Sequence, residues 1–263
     1  MHTRFTPASN QRAIARPRSR LHLDFAKTTE DIREAQRLRY KVFGEELGAH
    51  LNKDIPGHET DLFDIHCDHL LVRTHDAGEV IGTCRLISPE AAKSAGGYYA
   101  EGEFSLAHLQ HLRADMMEID RFCIHPDYRS GSVMALLWSG LGQYIAQRQY
   151  LYLIGCASIS MNDGGHNAAN LYQQLSAKHT ISEEYRTTPL HPLPYQKLAS
   201  GKPAVIPPLI KGYLRAGGYV CGEPAWDNDF NVADLLFLLP MTQLNKRYGR
   251  TFLDPHRTTE GFH

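Results

Sequence analysis

Two hydrophobic periods alternate along this chain, and that alternation constrains its fold more than any other property. Ile32, Ala35, Leu38, Val42 and Phe43 recur at helical spacing behind a cap at Thr28 or Thr29. The runs at 69–74 and 79–87 flank Asp76-Ala77-Gly78, a turn sequence suited to positive φ, which predicts a hairpin. Residues 116–124 read as a strand, and Val133, Leu136, Leu137, Gly140, Leu141, Tyr144 and Ile145 then mark one face of a helix. A buried strand follows at 150–158. Pro207 and Pro208 open a short helix that ends at Gly217-Gly218, and strand-like runs at 219–221 and 234–239 complete the series. A short strand at 21–25 starts it. Strands and helices interspersed in this order predict an α/β fold built around one mixed sheet. With 263 residues, 42% of them hydrophobic, the chain can bury a substantial core as one domain with extensions.

Bulk properties remove several classes of function. A formal net charge of -1 provides no general attraction to nucleic acid. Five cysteines, with no C-x-x-C pair, suggest neither a disulfide framework nor a zinc module and fit a reducing cytoplasm. No apolar run approaches the ~18 to 20 residues that span a bilayer. Residues 1–20 carry five arginines and no acidic residue, and are read as a poorly ordered basic arm. That arm is either a solvated tail or an element attracted to an anionic membrane or an acidic carrier protein. Residues 246–263 form a tail. Among the 15 histidines, His108 and His111 are three apart but lack further ligands at metal spacing, so no metal site is expected.

Three polar clusters could carry chemistry. Arg39, Glu59, Asp61, Asp64 and Arg85 are spread over a helix, the loop after it and a hairpin strand, and Arg85 sits in an apolar context where a charge needs a partner. Glu118-Ile119-Asp120-Arg121-Phe122 lies on a strand whose alternation puts Glu118 and Asp120 on one face and Arg121 on the other. Arg129-Ser130-Gly131-Ser132 precedes the long apolar helix, whose N-terminal N–H groups and dipole suit a phosphate.

In order and spacing these clusters resemble the ornithine lipid-forming N-acyltransferases of the GNAT superfamily, which are similar in turn to acyl-homoserine lactone synthases. The resemblance runs through Arg39-Tyr40-Lys41-Val42-Phe43, Asp61-Leu62-Phe63-Asp64, Cys67-Asp68-His69-Leu70-Leu71-Val72, Gly82-Thr83-Cys84-Arg85-Leu86, the Glu118 cluster and His125-Pro126-Asp127-Tyr128-Arg129. It extends to 207–215 and to Cys221-Gly222-Glu223-Pro224-Ala225-Trp226-Asp227, covering about 21–240. It implies a single GNAT-like domain over 21–245, with one mostly antiparallel sheet flanked by helices and a C-terminal extension. Residues 160–206 are then either a lid or a plain insertion.

By the same resemblance, Arg39, Phe43, Asp61, Asp64, Arg85, Glu118 and Arg121 surround the active site. Glu118 and Arg121 share a face only if a bulge intervenes. The implied reaction is transfer of a long-chain acyl or 3-hydroxyacyl group from acyl carrier protein to the α-amine of ornithine, with Glu118 as base and no bound cofactor or covalent enzyme intermediate. Arg129, Gly131 and Ser132 would hold the pantetheine phosphate. A loop with one glycine favours a carrier protein, which presents one phosphodiester, over coenzyme A. Arg39 or Arg85 would pair with the acceptor's carboxylate, and Asp61, Asp64, Asp227 or Asp229 with its distal ammonium. The competing readings are acylation of another amine, or a non-catalytic protein that binds acyl carrier protein or a membrane surface.

Overall fold

A computed structural model of the protein describes residues 21–52 and 54–244. In chain order the elements are β1 (Leu21–Phe25), α1 (Thr29–Arg39), β2 (Asp68–Thr74), β3 (Val80–Ile87), α2 (Pro89–Ala95), β4 (Phe104–Ser105), β5 (Met116–Ile124), α3 (Ser132–Arg148), β6 (Tyr152–Ser160), α4 (His166–Ser176), β7 (Thr188–Pro189), α5 (Tyr195–Leu198), α6 (Pro208–Ala216), β8 (Tyr219–Val220), β9 (Ala225–Asp227) and β10 (Val232–Pro240). The main sheet runs β1-β2-β3-β5-β6-β10-β8, with β9 also paired to β10, while β4 and β7 form a separate ribbon. Every pairing in the main sheet is antiparallel except β5 with β6. The exception follows from α3, whose crossover connects the two strands and returns the chain in the same direction.

Helices cover both faces. Thr28 caps α1 reciprocally with Asp31: the Asp31 N–H donates to the Thr28 hydroxyl, and the Thr28 N–H donates to the Asp31 carboxylate. Ala35, Leu38 and Val42 then bury against Leu71, Val80 and Cys123. On the opposite face Val133, Leu137 and Leu141 of α3 pack with Leu70, Val72, Cys84 and Leu86 in the main core. Gly140 allows α3 close approach, because a Cβ there would lie 2.8 Å from Leu70 Cδ2. Ile210 and Tyr213 of α6 are core as well, Tyr213 stacking on Phe237.

Two irregularities in β5 matter for function. Thr83 opposes Cys123 whereas Arg85 opposes Asp120, so one residue of β3, Cys84, is matched by two of β5, Arg121 and Phe122. The extra residue is a bulge at Arg121, which adopts φ 50°, a conformation uncommon for a residue with a side chain. Before the bulge, Met117 and Ile119 face α3 and Glu118 and Asp120 face α1. After it, Phe122 packs on Trp138 of α3 and Cys123 turns toward α1. Asp120 and Arg121 thus share a face. Secondly, β5 pairs with β6 only from Met116 to Glu118. Beyond Glu118 and Ile154 the two strands part, β5 remaining with β3 and β6 with β10.

The elements expected from sequence are present, and others are added. Helix α4, at 166–176, contributes Ala168, Leu171, Tyr172 and Leu175 to the main core. The basic arm at 1–20 and the tail at 246–263 lie outside the described residues.

Candidate active site

Three arginines and four carboxylates fill the α1 face of the sheet beside the bulge. Arg39, at the end of α1, is 1% exposed and makes a two-pronged pair with Asp64, both N···O distances being 2.8 Å. It also pairs with Glu59. Arg85 of β3 is fully buried and binds Asp120 through Nε at 2.9 Å, Asp64 at 3.0 Å and both oxygens of Asp61. Arg121 joins the network through Glu59 at 2.9 Å and Asp61 at 3.1 Å. Gln36 adds a bond to Asp64 at 2.8 Å. Burial alone would push the Asp61 and Asp64 carboxyls up, but hydrogen bonds and charge from Arg85 and Arg39 hold both below the ordinary carboxylate range. Asp61 and Asp64 are therefore ionised, and each has an arginine partner.

Aromatic rings frame it. The Arg121 guanidinium lies 4.3 Å from the Tyr99 ring centre and 5.1 Å from that of Phe230. Phe43 meets Phe230 edge-on with centroids 5.7 Å apart. A π-helical turn, Tyr40–Glu46, presents Phe43 directly after α1. Such turns often mark functional positions.

Glu118 sits at the last paired position before β5 leaves β6. It is fully buried, and its two oxygens accept the Tyr99 N–H at 2.7 Å and the Ala100 N–H at 2.9 Å. Burial, aided by the nearby Asp120 charge, raises its pKa well above the usual range despite those bonds. Along the same face of β6 the row continues through half-buried Cys156 to exposed Ser158, which opposes Asp234 of β10. Asp234 is 2% exposed and accepts the Ser158 hydroxyl proton at 2.7 Å. Glu103 and Asp227 close on it, with one carboxylate oxygen of each of the three lying within 4.8 Å of the others. Among the described residues this is the one grouping of His, Cys, Asp and Glu close enough to hold a metal ion. His111 stacks on Tyr185 instead.

At the N-terminus of α3, Gly131 adopts φ 100° and no side chain caps the helix. The Gly131 carbonyl accepts the first backbone bond, from the Ala135 N–H, so the N–H groups of Ser132, Val133 and Met134 precede the intrahelical ladder. The Arg129 guanidinium is held by Glu46 at 2.6 and 2.7 Å on the exposed surface. The five thiols are unpaired, and burial raises the pKa of each, leaving them poor nucleophiles.

An acetyltransferase (GNAT) domain model matches residues 38–139. The L-ornithine N(alpha)-acyltransferase of Brucella abortus (strain 2308) is 31% identical over 259 residues, covering 92% of each chain. The enzyme of the same name from Rhodobacter capsulatus is 33% identical over 248 residues, covering 85% of this chain and 91% of its own. The chain belongs to the L-ornithine N(alpha)-acyltransferase family. In fold it is similar to the N-acyl amino acid synthase FeeM from uncultured soil microbes, with a TM-score of 0.52 at 12% identity over 86% of this chain and 94% of that one. It is also similar to the acyl-homoserine lactone synthase LasI, with a TM-score of 0.50 at 13% identity over 89% and 95%.

The structure brings together Arg39, Asp61, Asp64, Arg85 and Arg121, with Phe43 and Glu118 at their edges; Arg129, Gly131 and Ser132 lie apart at the start of α3. It also gives two expected carboxylate ligands other tasks, because Asp61 and Asp64 are occupied by arginines. Glu103, Asp234, Tyr99 and Phe230 were missed. They come from separate segments, and no local pattern around any of them signals a pocket.

Proposed function

We propose that the protein transfers a long-chain acyl group, 3-hydroxylated or plain, from the thioester of acyl carrier protein to the α-amine of ornithine, forming the lyso lipid of ornithine lipid synthesis. The reading is carried by one observation: Glu118 stands where β5 and β6 part, on a face that continues to the carboxylates of Asp234, Asp227 and Glu103. The amine nitrogen attacks the thioester carbonyl carbon, a C–N bond forms, the C–S bond breaks, and pantetheine leaves as a thiolate that takes from Glu118 the proton the amine gave up. Glu118, ionised, accepts the proton that the amine gives up, directly or through one water. Its raised pKa makes it a strong base once a cationic substrate has displaced its own proton. The unpaired strand edges beyond Glu118 supply N–H donors toward the developing oxyanion.

Of the three network arginines Arg121 is the most exposed, at 9% of its side chain against 1% and 0%, and it best suits the acceptor's carboxylate. Arg39, Arg85, Asp61 and Asp64 fix its position, and Phe43 walls the cleft. Arg129, Gly131 and Ser132 receive the pantetheine phosphate once Glu46 yields. The basic arm would hold the enzyme at the inner membrane face where its lipid product accumulates. No helix among the described residues is long and apolar enough to cross a membrane.

The test is transfer of labelled acyl groups by the purified protein, with acyl carrier protein and coenzyme A thioesters as donors and ornithine and other amino acids as acceptors. Ornithine-dependent product from the carrier-protein donor is expected, falling at least ~100-fold in Glu118→Gln. Turnover that ignores Glu118→Gln would remove the base from the mechanism. Binding of acyl carrier protein without turnover would favour the non-catalytic reading.

A further inference from the structure

We propose that Glu103, Asp227 and Asp234 form the subsite for the side-chain ammonium of the acceptor amino acid, and so set the preference for an acceptor with a second amine. This rests on the amino acid acyltransferase reading above and deepens it. An acceptor with two amines brings two positive charges into the cleft, and the second needs a carboxylate not already neutralised. Glu59, Asp61, Asp64 and Asp120 are all paired with Arg39, Arg85 or Arg121. Glu103, Asp227 and Asp234 have no arginine or lysine in salt-bridge contact among the described residues.

The trio has an unmet demand of its own. Glu103 Oε2 has no accessible surface and receives no hydrogen bond from any described residue, an arrangement that costs stability unless something else supplies the donor. Asp234 is hydrogen-bonded to Ser158 and to Glu103, and Asp227 accepts the N–H groups of Asp229 at 2.8 Å and Phe230 at 3.0 Å. An ammonium carries three donors on one centre and can serve one oxygen from each carboxylate. Burial and the neighbouring Asp234 charge push Glu103 up to about 10, and burial pushes Asp234 to about 6, so both favour the arrival of a cation. Placement fits too. Asp234 shares its sheet face with Glu118, and Glu103 directly follows the turn whose N–H groups Glu118 holds, so an amine at Glu118 and an ammonium at the trio would occupy one cleft.

Ornithine and norvaline differ only in the δ-amine, so the ratio of their kcat/KM values reads this subsite. Asp234→Asn and Asp227→Asn should each lower that ratio at least ~10-fold. A structural role would reduce both acceptors in parallel and leave the ratio in place, which would overturn the assignment. Asp227 is half-buried and serves as the second variant should Asp234→Asn fold poorly. Calorimetry of the wild-type protein with Mg²⁺, Mn²⁺ and Ca²⁺ addresses the other occupant three carboxylates can take; tight binding abolished by Asp234→Asn would replace the ammonium with a metal. If the wild-type protein acylates no amine, the functional reading fails by itself. The subsite is then judged by thermal shift: stabilisation by ornithine over norvaline, lost in Asp234→Asn, supports it, and equal shifts refute it.

Discussion

Replacing Arg85 by Met tests whether the buried network is held together as described. Arg85 serves three carboxylates, but they do not depend on it equally. Asp61 keeps Arg121 and Asp64 keeps Arg39 and Gln36, whereas Asp120 is hydrogen-bonded to Arg85 alone among the described residues. Its side chain is 4% exposed, so Arg85→Met leaves one carboxylate buried with no hydrogen-bonded counter-charge. Breaking a buried pair in this way costs about 3 to 5 kcal/mol, a large part of the ~5 to 15 kcal/mol that holds a typical domain. Neutralising the orphan should recover some of the loss, so Arg85→Met with Asp120→Asn should be more stable than Arg85→Met alone by about 1 to 3 kcal/mol. Adding Asp61→Asn instead should recover little. Urea denaturation followed by far-UV circular dichroism gives the free energies by linear extrapolation. A loss below about 1 kcal/mol for Arg85→Met, or a double variant as unstable as the sum of the singles, would refute the partner assignment.

Gly155 lies one residue past the last β5–β6 pair, and a Cβ there would lie 2.6 Å from the Ile119 carbonyl oxygen and overlap the Tyr213 hydroxyl. Gly155→Ala should therefore cost about 1 to 3 kcal/mol in denaturant unfolding and change kcat/KM by altering the strand separation; unaltered stability and activity would show that the strands yield freely. Stability should also fall on the alkaline side. The folded-state pKa values of Asp234 and Glu103 are raised, so their contribution is complete below the ordinary carboxylate range near ~4 and is lost as pH rises through about 6 and then about 10. Asp61 and Asp64 act oppositely: their lowered pKa values stabilise the fold above ~4, and that stability is lost as the pH falls further. A melting temperature that peaks near pH ~5 is expected, with the decline toward pH ~7 flattened in Asp234→Asn. Burial and the Asp227 charge raise Asp234, while hydrogen bonds to Ser158 and Glu103 and the Arg121 charge oppose the shift. A flat profile would argue against raised pKa values at Glu103 and Asp234.

Much of the fold could be read from hydrophobic spacing, because strands and helices with one buried face leave that face in the sequence. The hairpin at Asp76-Ala77-Gly78, the cap at Thr28 and the Pro208 to Gly217 helix all appear where turn and cap chemistry placed them. The cluster of Arg39, Asp61, Asp64 and Arg85 was legible for another reason: a charge in an apolar strand must find a partner. What alternation could not supply was the bulge. Strict period two set Arg121 opposite Glu118, and the left-handed conformation of a non-glycine residue leaves no mark in composition. The acidic trio was hidden for a topological reason. Glu103 follows a 3-10 turn, Asp227 ends β9 and Asp234 lies in β10, so only the folded sheet brings them together.

The bulge at Arg121 has a consequence for how this lineage can vary. Removing Phe122 would restore regular alternation between Glu118 and Cys123 and send the arginine toward the apolar α3 side, where no carboxylate of the network could follow. A point substitution there alters one contact, whereas that one-residue deletion turns Arg121 over and takes it out of the network. Insertions and deletions should therefore collect in the surface loops, while the three-residue interval from Glu118 to Arg121 persists among functional descendants even as the identities around it drift.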